Sequence, residues 1–306
     1  MLLYLNDSFS DHDTGNHPEC KERIQRLNAL LRSTGLIEAS TCPDWQPANA
    51  ESVLRVHAEE YFKKLEQWCQ KSAGRVESDT VVSKGSWGAA LCAAGAAIDA
   101  VRSVISKKDT RAFCAIRPPG HHALVDSPMG FCLLNNVAIA AREALATGLS
   151  RVMIVDWDVH HGNGTQDVFY DDGKVGFLSI HRSPFYPGTG DADETGSGAG
   201  LGATMNIPVA IGITQKQFFD HFRAGVEKLA ERIKPELVLI SAGFDAHRLD
   251  PVGGLCLEAE DFAQLTQIVA DVAKVHSQGR IVSLLEGGYN LEMMPKSAVE
   301  HIKALS

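Results

Sequence analysis

Seven short runs of apolar and β-branched residues punctuate the chain: LLYL (2–5), AFCAI (112–116), RVMIVDWDV (151–159), KVGFLSIH (174–181), ATMNIPV (203–209), ELVLISAGF (236–244) and RIVSLLEGGY (280–289). Most are continuously apolar rather than alternating, which is the pattern of parallel strands covered on both faces. Stretches of helical periodicity fall between them, near 19–34, 58–71, 86–106, 133–148, 215–234, 258–277 and 292–304. Alternation of this kind predicts an α/β chain: one domain over 1–306, with a mainly parallel sheet between two layers of helices. Small residues dominate GAALCAAGAAIDAVRSVI (88–105), so that helix is expected to pack closely against its neighbours.

Composition narrows the function classes. The 306 residues are 44% hydrophobic, enough for a large core, and no apolar run reaches the ~18 residues a membrane-spanning helix needs. The N-terminus MLLYLNDSFSDHD turns acidic after Leu5, unlike a secretory signal. A formal net charge of −9 without a lysine or arginine cluster argues against a nucleic-acid binder. The seven cysteines are scattered and form no CxxC pair, so buried reduced thiols in a cytoplasmic protein are expected rather than a disulfide framework or thiolate zinc site.

Long loops rich in Gly and Pro follow several strands, at 117–131, 160–167, 182–202 and 245–257. In open α/β sheets ligands bind beyond the carboxyl ends of the strands, and the unusual residues fall there. VDWDVHHGNG (155–164) places Asp156, Asp158, His160, His161 and Asn163 directly after an apolar run. Burying such groups is costly unless they pair with one another or hold a metal. Strand alternation puts Asp156, Asp158 and His160 on one face and Trp157, Val159 and His161 on the other. Other strands end in SAGFDAH (Asp245, His247), RPPGHHA (His121, His122), LEGGYN (Tyr289) and LSIHR (Ser179, His181). A single Asp or His at a strand end is ordinarily a cap or a loop hydrogen bond, but several polar ends meeting on one rim form a site.

The residue types suggest roles. Asp158, His160 and Asp245 offer two carboxylates and an imidazole, leaving a position open for water and substrate as in catalytic zinc sites. Asp156 is placed to orient an imidazole and set its tautomer. Two adjacent histidines provide a general base and an acid or electrostatic partner, and Tyr289 a hydroxyl for a developing oxyanion. Attack of metal-bound water on an amide carbonyl uses all of these parts.

Together with HPECKER (17–23), VH with Tyr61, GFCLLNNVAIAA (130–141), HHGNGTQ (160–166), YPGTG (186–190) and DP with GG (250–254), these segments resemble the zinc-dependent histone deacetylase family, of arginase/deacetylase fold, over most of the chain. The RPPGHH and HHGNGTQ segments resemble class II deacetylases and bacterial histone deacetylase-like amidohydrolases more than class I. The resemblance implies a three-layer α/β/α domain with a mainly parallel sheet of about eight strands. It implies one zinc ion on Asp158, His160 and Asp245, His122 as principal proton-transfer residue, and His121 as its partner on Asp156. Asn163 stands behind the second histidine where class I has aspartate, and Tyr289 polarises the substrate carbonyl. Gly130, Phe131 and Tyr186 form the acyl-lysine tunnel, with Phe185 the alternative to Tyr186. Val252 takes the gate position, where polyamine deacetylases of the family can carry glutamate. Structural potassium is implied at Asp156, Asp158, His160 and Ser179, and again near Phe169. Asp79 and Thr80 fall where the family presents groups to the substrate backbone, and Arg23 is either floor below the metal or helix surface.

The expected activity is removal of acetyl or short acyl groups from the lysine ε-amine in proteins or peptides. The alternative substrate is an acetylpolyamine or other small acetylated amine. A dimanganese ureohydrolase of the same fold would need further carboxylates where this chain has Asn163, and a non-catalytic acyl-lysine reader would leave the catalytic set unexplained. No nucleic-acid or membrane partner is expected, and the chain would act as a monomer or small homo-oligomer.

Overall fold

The computed structural model describes residues 1–306. Each apolar run becomes a strand of one sheet: β1 (Leu2–Tyr4), β2 (Arg111–Cys114), β3 (Val152–Asp156), β4 (Val175–Arg182), β5 (Thr204–Val209), β6 (Leu237–Ala242) and β7 (Ile281–Leu285). The order is β1-β2-β7-β6-β3-β4-β5 and every pairing is parallel. The sheet thus has seven strands against the roughly eight that the family resemblance implied. A separate two-stranded ribbon pairs Gly74–Arg75 with Val81–Val82, and Thr80 beside it accepts the Phe131 N–H.

β3, β6 and β7 are buried at every residue, as continuous apolar runs require when helices cover both faces. The covering helices bury one stripe each. In Gln215–Ile233 the buried residues Phe218, Phe222, Val226, Leu229 and Ile233 recur at helical spacing. A capping box between Thr214 and Gln217 starts that helix, each side chain satisfying the other's backbone N–H.

The Ser86–Ile105 helix corrects one expectation, because by length and composition it does pass for a membrane span. It is instead a core helix, with 72% of its apolar window buried inside the protein. Its small residues work as expected: a Cβ added at Gly95 would lie 2.9 Å from Pro47 Cα, closer than side chains tolerate.

Candidate active site

The polar strand ends converge beyond the carboxyl edge of β2, β7, β6, β3 and β4, and one detail differs from simple strand alternation. β3 stops at Asp156, so Asp158 and His160 do not sit on a strand. Two successive turns aim them instead: Asp156 Oδ1 accepts the Asp158 N–H at 3.0 Å, and Asp158 Oδ1 accepts the His160 N–H at 3.0 Å. Aspartate favours this local turn because its short side chain reaches the backbone two residues on. The opposite side behaves as expected: Trp157 is buried against Phe222 and His301, and His161 bonds Thr189 and Gln166 away from the centre.

Asp158, His160 and Asp245 bring their ligand atoms within 4.8 Å of one another, all buried. His160 Nδ1 lies 3.0 Å from Asp158 Oδ1 and 3.1 Å from Asp245 Oδ2. The remaining carboxylate oxygens are already used: Asp158 Oδ2 accepts from Gly287 N–H at 2.8 Å and Asp245 Oδ1 from Val159 N–H at 2.9 Å. Glycine is required at 287, since a Cβ there would fall among the Asp158 and Asp245 carboxylates. Burial and then the Asp158 charge push Asp245 up to about 7. No lysine or arginine pairs with either carboxylate; only the His160 imidazole lies between them, and two carboxylates with one imidazole are a donor set that suits zinc.

The tandem histidines are made unequal by their partners. His121 Nδ1 sits 2.9 Å from Asp156 Oδ2. Burial works against its charge, but the Asp156 and Asp158 carboxylates prevail and raise it to about 10, favouring the imidazolium form. His122 Nδ1 sits 2.7 Å from Asn163 Oδ1. Burial, then the charges on His121 and His160, push it well below its usual 6.5. A carbonyl oxygen only accepts, so the proton of neutral His122 is on Nδ1 and Nε2 is free to take another.

A pocket of about 230 Å³ leads to these groups, lined by Asp79, His122, Gly130, Phe131, His160, Phe185, Tyr186, Val252 and Tyr289. Phe185 and Tyr186 both contribute: Phe185 stacks on His160 at 5.2 Å, while Tyr186 meets His122 edge-on at 5.3 Å. Phe131 faces Tyr289 edge-on at 5.6 Å. Phe131 has φ +70 and Gly130 φ +55, and a Cβ at 130 would press on the His122 ring.

Some expected residues lie elsewhere. His247 is buried but turned from the centre, accepting from Leu249 N–H and facing Glu258 at 3.7 Å. Ser179, expected with Phe169 at structural potassium rather than in the pocket, is paired in register with Asp156 and bonds His181 at 2.9 Å, and Phe169 carries Arg142 over its ring at 4.6 Å. Arg23 is no surface arginine. It is buried, donates to the carbonyls of Gly288 (2.6 Å) and Glu286 (2.5 Å), and lies 5.0 Å from the Tyr289 ring centre. Glu286 went unnoticed in the sequence, although a carboxylate closing the apolar run of β7 was a signal. It accepts from the backbone N–H groups of Gly120 (2.7 Å) and His121 (3.2 Å) and from Ser241 Oγ, fixing the tandem-histidine turn to β6 and β7.

The histone deacetylase domain matches residues 17–305. The chain is 40% identical to a probable deacetylase of Archaeoglobus fulgidus over 95% of this chain and 81% of that protein. It is 35% identical to the histone deacetylase-like amidohydrolase of Pseudomonas aeruginosa, covering 95% of this chain and 77% of the relative. The crystal structure of the HDA15 HD domain superposes with a TM-score of 0.94 at 36% identity, covering 99% of this chain and 87% of that one. Fold, matched domain and relatives agree, and the chain belongs to the histone deacetylase family.

Proposed function

We propose that this chain is a zinc-dependent amidohydrolase that removes acetyl or short acyl groups from the ε-amine of lysine in peptides or proteins. The observation carrying this reading is the pair of unequal histidines beside a converging Asp-His-Asp trio, at the end of an aromatic-walled pocket. An extended acyl-lysine side chain fits such a pocket, with Phe131, Phe185 and Tyr186 against its methylenes and the amide carbonyl toward Tyr289. Val252, in the pocket lining, adds no charge to attract a polyamine, which supports the peptide substrate and leaves Asp79 as the one carboxylate of that lining.

Asp158, His160 and Asp245 would hold zinc, which supplies polarisation of the carbonyl and a lowered pKa for attacking water. His122 accepts the water proton at Nε2, because its Nδ1 proton is committed to Asn163. His121, held charged by Asp156, stabilises negative charge as it develops beside it. Tyr289, whose hydroxyl stays protonated because burial and the Asp245 charge raise it well above 10, donates to the oxyanion. His122, now protonated, returns its proton to the departing amine. All seven cysteines are free, which supports a reducing, cytoplasmic setting.

The test compares turnover of an acetyl-lysine peptide with acetylspermidine and acetylputrescine on zinc-loaded protein. Preference for the peptide is expected. Strong preference for either polyamine would replace the lysine reading with the small-amine one, and metal analysis finding two manganese ions per chain would move the activity to a ureohydrolase.

A further inference from the structure

Asp250, in the DP…GG segment, takes no part in the chemistry above, yet it is buried and fully engaged. Its Oδ1 accepts the N–H groups of Val252 and Gly253, both at 2.9 Å. Its Oδ2 accepts those of Tyr289 at 2.6 Å and Asn290 at 3.1 Å. One carboxylate therefore ties the loop bearing Val252 to the loop bearing Tyr289.

The peptide unit joining Gly288 to Tyr289 is gripped at both ends. Its carbonyl accepts from Arg23 Nε at 2.6 Å, and its N–H donates to Asp250. Two glycines precede Tyr289, and Gly288 has φ +118, where backbone preference alone fixes little. The plane of that peptide sets the direction in which the Tyr289 side chain leaves the backbone. Arg23 and Asp250 hold that plane from opposite sides.

We infer that Asp250 is the positioning residue for Tyr289, an inference resting on the amidohydrolase reading. It touches no reacting atom and acts through the Tyr289 and Asn290 amides, keeping the hydroxyl where the oxyanion forms. Asparagine at 250 would preserve shape but remove the charge. Its amide nitrogen cannot accept, so one pair of N–H groups would lose its acceptor.

The experiment measures kcat of the zinc-loaded full chain on an acetyl-lysine peptide for the unmodified protein, Asp250→Asn, Tyr289→Phe and the double variant, together with backbone amide hydrogen exchange. Asp250→Asn should lower kcat about a hundredfold, the scale of a small misplacement of a reacting group. In the Tyr289→Phe background the same change should cost less than about threefold, because coupled residues are not additive. Equal losses in both backgrounds would show that Asp250 does not act through the tyrosine and would overturn the inference. In the unmodified protein the Tyr289 and Asn290 amides should be protected like those of β7, and Asp250→Asn should speed their exchange about tenfold or more. Loop-like exchange of these amides in the unmodified chain overturns the inference even if Asp250→Asn fails to fold. An unmodified chain that hydrolyses no acetylated amine would sink the functional reading alone, and the exchange result would still decide the clamp.

Discussion

Replacing Asn163 by aspartate would convert the His122 pair into a copy of its neighbour. The two histidines set the direction: His121, against the Asp156 carboxylate with Asp158 close by, is raised to about 10, whereas His122, buried against an amide and beside the charges on His121 and His160, is driven well below 6.5. A new negative charge in place of the amide 2.7 Å from Nδ1 favours the imidazolium. At an effective dielectric constant of about 20, unit charges ~4 Å apart interact by about 4 kcal/mol, equivalent to about three pKa units. The sign follows from the role. A base must be neutral, so raising its pKa moves the acidic limb of the kcat/KM profile upward. We expect Asn163→Asp to displace the acidic limb upward by about three units, so that its loss relative to the unmodified protein is largest at the acidic end of the profile and shrinks as pH rises. The assay is kcat/KM for an acetyl-lysine peptide from pH 5 to about 9 at fixed zinc occupancy, spanning the range in which histidine pKa values fall. An acidic limb that stays in place, or moves down, would refute the assignment of His122 as the base.

Asp245→Ala should leave the fold intact but abolish stable zinc binding, read as metal per chain after dialysis, and full occupancy would remove Asp245 from the ligand set. Gly130→Ala places a Cβ about 2.7 Å from His122 Cγ at a residue with φ +55, so turnover should fall about tenfold or more with thermal stability lowered; unchanged kinetics would show that the turn has room to give. Burial holds His12 and His57 near 4 and His301 near 3, against 6.5 when unfolded. Their contribution is therefore present above pH 6.5 and lost as pH falls toward the folded values, because the unfolded chain takes up protons that the folded one refuses. Urea unfolding should weaken over that window, and His301→Gln should flatten the slope by up to about 1.4 kcal/mol per pH unit; an identical slope would mean that His301 titrates the same way in both states.

The sequence by itself determined the sheet, because strands buried on both faces must be continuously apolar, and all seven runs became strands of it. It also marked Asp158, His160 and Asp245, the tandem histidines and Tyr289, since polar residues ending an apolar run need a chemical reason, and the family resemblance added Asn163. Tertiary structure decided how they are aimed. Asp158 and His160 face the centre through turns beyond β3, where strand periodicity no longer applies, while His247 turns outward to Glu258. Only the packed fold could show that Arg23 is buried under Tyr289, or that Glu286 and Asp250 hold the loops bearing the tandem histidines and Tyr289. Those side chains satisfy backbone N–H and carbonyl groups far away in sequence, and backbone groups carry no residue identity by which a sequence pattern would betray the pairing.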